Sequence, residues 1–128
     1  MIDHISLGVS DLARSGDFYR AVLAPLGMTL LVERAGMLGF GKRYPEIWLN
    51  HRPGMAPVDA ATGDHLCLRT RAEDAVRAFH AAALLMGGRD DGAPGPRKAA
   101  MTDYFAAFVR DPDGHRIEAA TFPASIAE

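Results

Sequence analysis

Three side chains in the sequence have the chemistry of a metal site. His4 and His65 lie in two similar stretches, 61 residues apart, and Glu118 lies near the end of the chain. Two imidazoles and one carboxylate are sufficient ligands for a divalent transition metal, and they leave positions open for water or substrate. Whether the three side chains meet depends on the strands that carry them.

Glu118 occupies an unusual position for a charged residue. The preceding Asp111-Pro-Asp-Gly114 is predicted to be a tight turn, because Pro presets one backbone angle and Gly tolerates a positive φ. A short strand from His115 to Phe122 is predicted to follow, and strands are depleted in Glu. An ionised carboxylate beside alanines is unfavourable unless it is paired. A bound metal ion would supply that pairing.

The strand that carries His4 alternates between apolar and polar residues. Ile5, Leu7 and Val9 are apolar, and the residues between them are not. This period of two is typical of a half-buried strand whose apolar face packs under a helix. A helix is predicted from Leu12 to Leu26. His4 is therefore expected on the other side of the sheet.

The same pattern repeats in the second half of the chain. Three pairs of residues share a separation of 61 positions: His4 and His65, Phe18 and Phe79, and Gly27 and Gly88. A constant offset of this kind indicates two copies of one structural unit. Each copy is predicted to be a βαβββ module. Matching the final hairpins of the two modules places Trp48 at the position equivalent to Glu118.

The predicted fold is α+β and consists of two tandem βαβββ modules. The whole chain, residues 1–128, is predicted to be a single domain, with the first module at 1–51, a connection at 52–62 and the second module at 63–123. The strands are expected to form a cup-shaped mixed sheet with the helices on its outer face. Inside this cup, His4, His65 and Glu118 would converge.

Further predictions concern local structure. Thr70-Arg-Ala-Glu73 has the pattern of a capping box that opens the second helix. The segment from Arg89 to Thr102 is rich in Gly, Pro and charge, so it is predicted to be a weak strand plus a mobile loop that forms a lid or rim over the cup. His51 is assigned to the connecting segment, and His115 to the strand face opposite Glu118.

Composition excludes several classes of function. The chain has the size of one domain, and its net charge of −2 is spread without a basic stripe for nucleic acid. The longest apolar run, Ala81 to Met86, is too short to cross a membrane. The single cysteine, Cys67, excludes an internal disulfide and is predicted to be a small buried hydrophobic residue. The N-terminus does not have the pattern of a signal peptide, so a cytoplasmic location is expected.

The sequence resembles the vicinal oxygen chelate superfamily, which includes glyoxalase I, bleomycin-resistance proteins and extradiol dioxygenases. The resemblance covers the whole chain and is carried by four motifs: Asp3-His-Ile-Ser-Leu-Gly-Val-Ser-Asp-Leu12, Phe18-Tyr19, Asp64-His-Leu66 and Asp111-Pro-Asp-Gly-His-Arg-Ile-Glu118. It implies one divalent ion (Zn, Ni, Co, Mn or Fe) with His4, His65 and Glu118 as ligands. Family members form the site within one chain or across a dimer, and a homodimer is expected here.

The fourth ligand position of the family falls on Trp48, whose indole cannot bind a metal. In glyoxalase-type isomerisation the carboxylate ligands are expected to move the substrate proton, so Glu118 is the candidate catalytic residue. The three remaining ligands resemble the triad of the extradiol dioxygenases. Glu46 and Asn50 share the predicted face of Trp48, so a shifted hairpin alignment would restore a fourth ligand.

The leading hypothesis is a small metal-dependent isomerase, lyase or dioxygenase that binds adjacent oxygens of its substrate. Trp48, Tyr104 and Phe122 would form an aromatic wall of the pocket, and Arg69 or Arg116 would bind an anionic group. The alternative is a non-catalytic drug- or metabolite-binding protein of the bleomycin-resistance type, which the replacement by Trp48 favours. A third hypothesis is a structural remnant whose site turns nothing over.

Overall fold

A computed structural model of the chain describes residues 1–123. The strands are β1 (Ile5–Val9), β2 (Thr29–Arg34), β3 (Met37–Gly41), β4 (Ile47–His51), β5 (Leu66–Arg69), β6 (Arg89–Lys98), β7 (Asp103–Arg110) and β8 (Arg116–Thr121), and the helices are α1 (Leu12–Leu23) and α2 (Glu73–Leu85). The βαβββ order occurs twice, so the predicted two-module α+β fold is confirmed. Within the described residues, no helix is long and apolar enough to cross a lipid bilayer.

Each module forms a four-stranded mixed sheet. The strand orders are β1-β4-β3-β2 and β5-β8-β7-β6, and the first two strands of each order run parallel. Ser6 pairs with Trp48 in the first sheet, and Cys67 pairs with Glu118 in the second. Ser6 and Cys67 lie two residues after His4 and His65, which directly precede β1 and β5. The predicted equivalence of these histidines, and that of Trp48 with Glu118, are therefore confirmed.

The two helices pack against each other inside one hydrophobic core. α1 contacts β2, β3 and β4, while α2 contacts β6, β7 and β8. The core contains buried side chains from both helices and both sheets, among them Val9, Phe18, Val22, Ile47, Leu49, Val76, Phe79, Val109 and Ile117. Burial of each large apolar side chain contributes about 1.5–3 kcal/mol. Because the helix-covered sheet faces share this core, the opposite faces, which carry Trp48 and Glu118, point away from it.

The two helices begin in different ways. Asp11 caps α1, because its carboxylate accepts a hydrogen bond of 3.0 Å from the backbone N–H of Arg14. α2 begins after Ala72 and has no side-chain cap, so the predicted capping box that starts at Thr70 is wrong. The backbone N–H of Thr70 instead donates to the carbonyl of Ala120 in β8, which continues the pairing of β5 by one residue.

The segment rich in Gly and Pro after α2 is a strand. β6 pairs with β7 along its length, with register shifts around Gly92. It is an edge strand, where Pro is tolerated because one row of backbone N–H groups has no partner strand. The predicted strand in this segment is therefore confirmed, and it leaves only residues 99–102 for the predicted loop. The assignment of His51 to the connecting segment is wrong, since it ends β4 and pairs with Val9.

The turn between β7 and β8 forms hydrogen bonds with the first module. Asp111 accepts a hydrogen bond of 2.7 Å from the Tyr19 hydroxyl. Asp113 accepts hydrogen bonds from the backbone N–H and the hydroxyl of Ser10, at 3.0 and 2.6 Å. Burial raises the pKa of Asp111. Burial and the neighbouring Asp111 carboxylate raise the pKa of Tyr19 well above its usual range, so its hydroxyl stays a donor.

His115 also belongs to this boundary between the modules. Its Nε2 lies 2.7 Å from the carbonyl oxygen of Gly8, and it is the donor because a carbonyl only accepts. His115 directly precedes β8, and this contact holds its side chain against the first module.

Candidate metal and substrate site

Glu118 and His65 form a pair on the outer face of the second sheet. His65 Nε2 donates to Glu118 Oε1 at 3.0 Å. Glu118 is only 3% exposed, and its second oxygen, Oε2, has no hydrogen-bond partner among residues 1–123. A buried carboxylate oxygen without a partner is energetically costly. A cation or a ligand donor that bound Oε2 would remove this cost, so the residues present fit a metal ion.

Phe108 lies next to the pair formed by His65 and Glu118. It lies directly opposite Glu118 in the pairing of β7 with β8. The centroids of the His65 and Phe108 rings are 5.6 Å apart. The guanidinium carbons of Arg116 and Arg97 lie 4.5 and 5.9 Å from the Phe108 centroid, within the range of cation–π attraction. One imidazole and two guanidinium groups thus lie around the Phe108 ring, next to the buried carboxylate.

Three of the predicted pocket residues lie together at the other end of this face. The rings of Tyr104 and Phe122 are stacked, with centroids 4.9 Å apart and planes 17° apart. Arg69 lies over the Phe122 ring at 4.9 Å. Partial burial and the charge of Glu118 raise the pKa of Tyr104, so its hydroxyl keeps its proton at neutral pH.

Cys67 lies on the same face, opposite Glu118 in the pairing of β5 with β8. The residue as a whole is exposed, so its prediction as a buried hydrophobic residue is wrong. Partial burial of its thiol and the charge of Glu118 nevertheless raise the pKa of Cys67 to about 12. In the chain without a bound metal, its sulfur is therefore a neutral group beside the carboxylate.

The first module places His4 and Trp48 on its own outer face. His4 is exposed, and its Nδ1 donates to the carboxylate of the adjacent Asp3 at 2.7 Å. The indole of Trp48 lies across Gly39, where an added Cβ would come within 2.9 Å of the indole carbon Cζ3. Among residues 1–123, no three His, Cys, Asp or Glu side chains are grouped to hold a metal ion. One chain thus brings Glu118 together with His65 but not with His4.

Sequence reasoning did not include Phe108 and Arg97 in the site. A signal for Phe108 exists, because Tyr104, Ala106 and Phe108 alternate along β7 and therefore share a face. Arg97 carried no such signal. It lies in the segment that was predicted to include a mobile loop, and side-chain direction in a loop has no period.

The fold and this site define the class of protein. The family model of the Glyoxalase/Bleomycin resistance protein/Dioxygenase superfamily matches residues 1–119, and the chain belongs to this superfamily. Among curated proteins, none matches the sequence.

Solved structures similar to this chain share its fold over nearly the whole length. A glyoxalase/bleomycin resistance protein from Albidiferax ferrireducens T118 is 29% identical, with a TM-score of 0.83 and coverage of 94% of this chain and 98% of that one. An integron cassette protein from V. cholerae is 26% identical, with a TM-score of 0.66 and coverage of 96% and 95%. The fosfomycin resistance protein FosX from Listeria monocytogenes is 15% identical, with a TM-score of 0.69 and coverage of 98% and 95%, and shares the fold alone.

Proposed function

We propose that the protein is a cytoplasmic, metal-dependent enzyme of the glyoxalase type whose site forms between two copies of the chain. His4 from one copy would join His65 and Glu118 from the other copy to bind one divalent ion. The observation that carries the proposal is the buried Glu118 carboxylate, which pairs with His65 at 3.0 Å and keeps one oxygen without a partner. Carboxylate oxygen and imidazole nitrogen are the donors that Zn, Ni, Co, Mn or Fe bind.

The placement of the two sheet faces supports a site between copies. The faces that carry His4 and Glu118 point away from the shared core, so one chain does not bring them together. A twofold dimer in which the first-module face of each copy covers the second-module face of the other would create two equal sites. Trp48 would then close each site from the side opposite Glu118.

The proposed reaction is isomerase, lyase or dioxygenase chemistry on a small substrate with adjacent oxygen atoms. A divalent ion at the site would supply Lewis acidity toward those oxygens. Glu118 would accept the substrate proton on the carboxylate oxygen that does not hold the ion, since a carboxylate positioned beside the substrate acts as a general base. Tyr104 would donate a hydrogen bond to the substrate, since its raised pKa keeps the hydroxyl protonated.

A second candidate function is non-catalytic binding of a drug or metabolite, as in the bleomycin-resistance type. The observation that favours it is Trp48, which lies across Gly39 at the position equivalent to Glu118. An aromatic ring there gives a binding surface but no ligand for a metal. Trp48→Glu separates the two functions, because a fourth ligand should tighten metal binding only if the metal site exists.

Thermal unfolding of chelator-treated protein with added Zn, Ni, Co or Mn tests the metal site. A metal that binds only the folded state stabilises it by roughly 2.7 kcal/mol at a hundredfold excess over its dissociation constant. We expect a clear rise in Tm with at least one ion, and its loss in His65→Ala and Glu118→Gln. His80→Ala is the matched control, because His80 lies on α2 and is paired with Asp90. No rise in the parent protein, or equal loss in His65→Ala and His80→Ala, would contradict the proposal.

Mixed dimers test whether the site is shared. His4→Ala and His65→Ala each remove one ligand from every site, so neither variant alone should show the metal effect. When the two are unfolded together and refolded, about half of the dimers are mixed, and each mixed dimer regains one intact site of two. Metal binding at about a quarter of the sites is therefore expected. A site within one chain would give no recovery.

A further inference from the structure

Building on the proposed function, we propose that the substrate carries an oxyanion, either a carboxylate or a phosphonate or phosphate, which Arg97 and Arg116 bind above Phe108. The charge, the hydrogen bonds and the aromatic contacts on the outer face of the second sheet support this assignment.

This face carries more positive than negative charge. Five arginines lie on it, namely Arg69, Arg89, Arg97, Arg110 and Arg116. The carboxylates beside them are Glu118 and Asp91, and Asp91 already pairs with Arg116 at 2.6 Å and with Arg110 at 3.1 Å. Neither Arg97 nor Arg116 forms an ion pair with Glu118. The charge of these two arginines is therefore not taken up by the buried carboxylate.

Arg97 is held in place by neutral groups. Its terminal nitrogens donate to the backbone carbonyls of Ala93, at 2.6 Å, and Pro96, at 3.2 Å. Its guanidinium carbon lies 5.9 Å from the Phe108 ring, and no carboxylate among residues 1–123 forms an ion pair with it. A guanidinium group has five N–H donors in a rigid plane. Arg97 is thus positioned while its charge and further donors stay available to a ligand.

Arg116 also lies over the Phe108 ring. Its guanidinium carbon is 4.5 Å from the Phe108 centroid, and its Nε donates to Asp91 at 2.6 Å. That hydrogen bond occupies the Nε and leaves the two terminal nitrogens for a ligand. Planar guanidinium groups match carboxylate and phosphate oxygens in pairs, and such charge-assisted hydrogen bonds are stronger than neutral ones.

The position of Phe108 relates the arginines to the carboxylate. Phe108 lies directly opposite Glu118, and side chains paired in this way have Cβ atoms roughly 4.5–5.5 Å apart. An oxyanion on the two arginines therefore places the next few atoms of the same molecule near Glu118. The substrate that fits has its anionic group within a few bonds of the atom that loses a proton.

Calorimetric titration of chelator-treated protein at low salt tests this inference without a metal. The probes are phenylphosphonate and benzoate, with benzamide as the neutral analogue. We expect at least one anion to bind about tenfold or more tightly than benzamide, and Arg97→Gln and Arg116→Gln each to weaken that anion by about tenfold or more. Arg77→Gln is the matched control, because Arg77 also lies over a ring, that of Phe105 at 4.8 Å, but on α2. The relative affinities of the two anions identify which oxyanion the site prefers.

Equal binding of the anions and benzamide to the parent protein overturns the inference, as does unchanged affinity in both Arg97→Gln and Arg116→Gln. The comparison of probes uses the parent protein, so it decides the question even where a variant does not fold. Metal-induced stabilisation should persist in Arg97→Gln and vanish in His65→Ala. Anion binding without any metal effect would contradict the metal site alone, and a metal effect without anion selectivity would contradict this inference alone.

Discussion

In the first module an indole lies across a glycine, whereas in the second module a carboxylate faces a phenyl ring. Trp48 and Glu118 occupy equivalent positions in β4 and β8, and Gly39 and Phe108 are their partners in β3 and β7. The strand pairing is the same, but the aromatic side chain lies on β4 in the first module and on β7 in the second. The backbone repeat therefore sets where these side chains point, and the residue types give the two faces different chemistry.

The hairpin turns differ in the same way. The turn after β3 is exposed at Lys42 and Tyr44, while the turn after β7 is buried at Asp111 and Asp113. The second turn faces the other module, and the first faces solvent. The two turns thus differ in whether they contact the other module. The following variants test such differences between the modules in order of expected effect.

Gly41→Ala is expected to cause the largest loss of stability. An added Cβ at this position would overlap the backbone carbonyl oxygen of Tyr44, which cannot move without opening the turn. We expect a loss of roughly 3 kcal/mol or more in urea unfolding. The equivalent position in the second module is Arg110, which is half-buried, and Arg110→Ala should cost much less. Similar losses in both variants would show that the two turns are under the same constraint.

Tyr19→Phe is expected to have the next largest effect. It leaves the buried Asp111 carboxylate without the hydroxyl that donates to it at 2.7 Å. Loss of one partner from a buried hydrogen bond costs about 1–3 kcal/mol. The position equivalent to Tyr19 is His80, whose partner Asp90 is exposed, so His80→Ala should change urea unfolding much less. A smaller loss for Tyr19→Phe than for His80→Ala would show that the hydrogen bond between Tyr19 and Asp111 does not stabilise the module boundary more than the exposed pair does.

Gly39→Ala tests the packing of Trp48 and should cost about 1 kcal/mol, because the indole must shift away from the new Cβ. In a Trp48→Ala background the same substitution should cost nearly nothing. The measurement is a double-mutant cycle of unfolding free energies, in which residues in contact show coupling of about 0.5–3 kcal/mol. Additive effects would mean that the indole does not lie on Gly39.

The smallest expected effect is on the pH dependence of stability. Burial raises the pKa of Asp111 in the folded state, so its contribution to stability is present below its unfolded value, about 3.9, and is lost as pH rises through the folded pKa. Asp111→Asn removes this loss. The parent protein should therefore lose stability relative to Asp111→Asn as the pH rises above about 4. A relative gain over that range would show that hydrogen bonding outweighs burial.

Local patterns in the sequence predicted much of the fold. Alternation around His4 and His65, and the constant offset between the two halves, predicted both modules and the equivalence of Trp48 with Glu118. Where local composition and long-range pairing disagreed, pairing prevailed. β6 forms in spite of its Gly and Pro content because β7 supplies a partner strand along its length.

Alternation in the sequence was enough to predict which side of its sheet His4, His65 and Glu118 each occupy, because side chains alternate along a strand with a period of two. Pairing of β8 with β5 and β7 then brings Glu118 to His65 and Phe108 within the second sheet. The arrangement of the two modules could not be predicted in this way, because it depends on contacts between residues far apart in the chain, such as Tyr19 and Asp111, which no local period encodes. That arrangement leaves His4 on a face that turns away from Glu118.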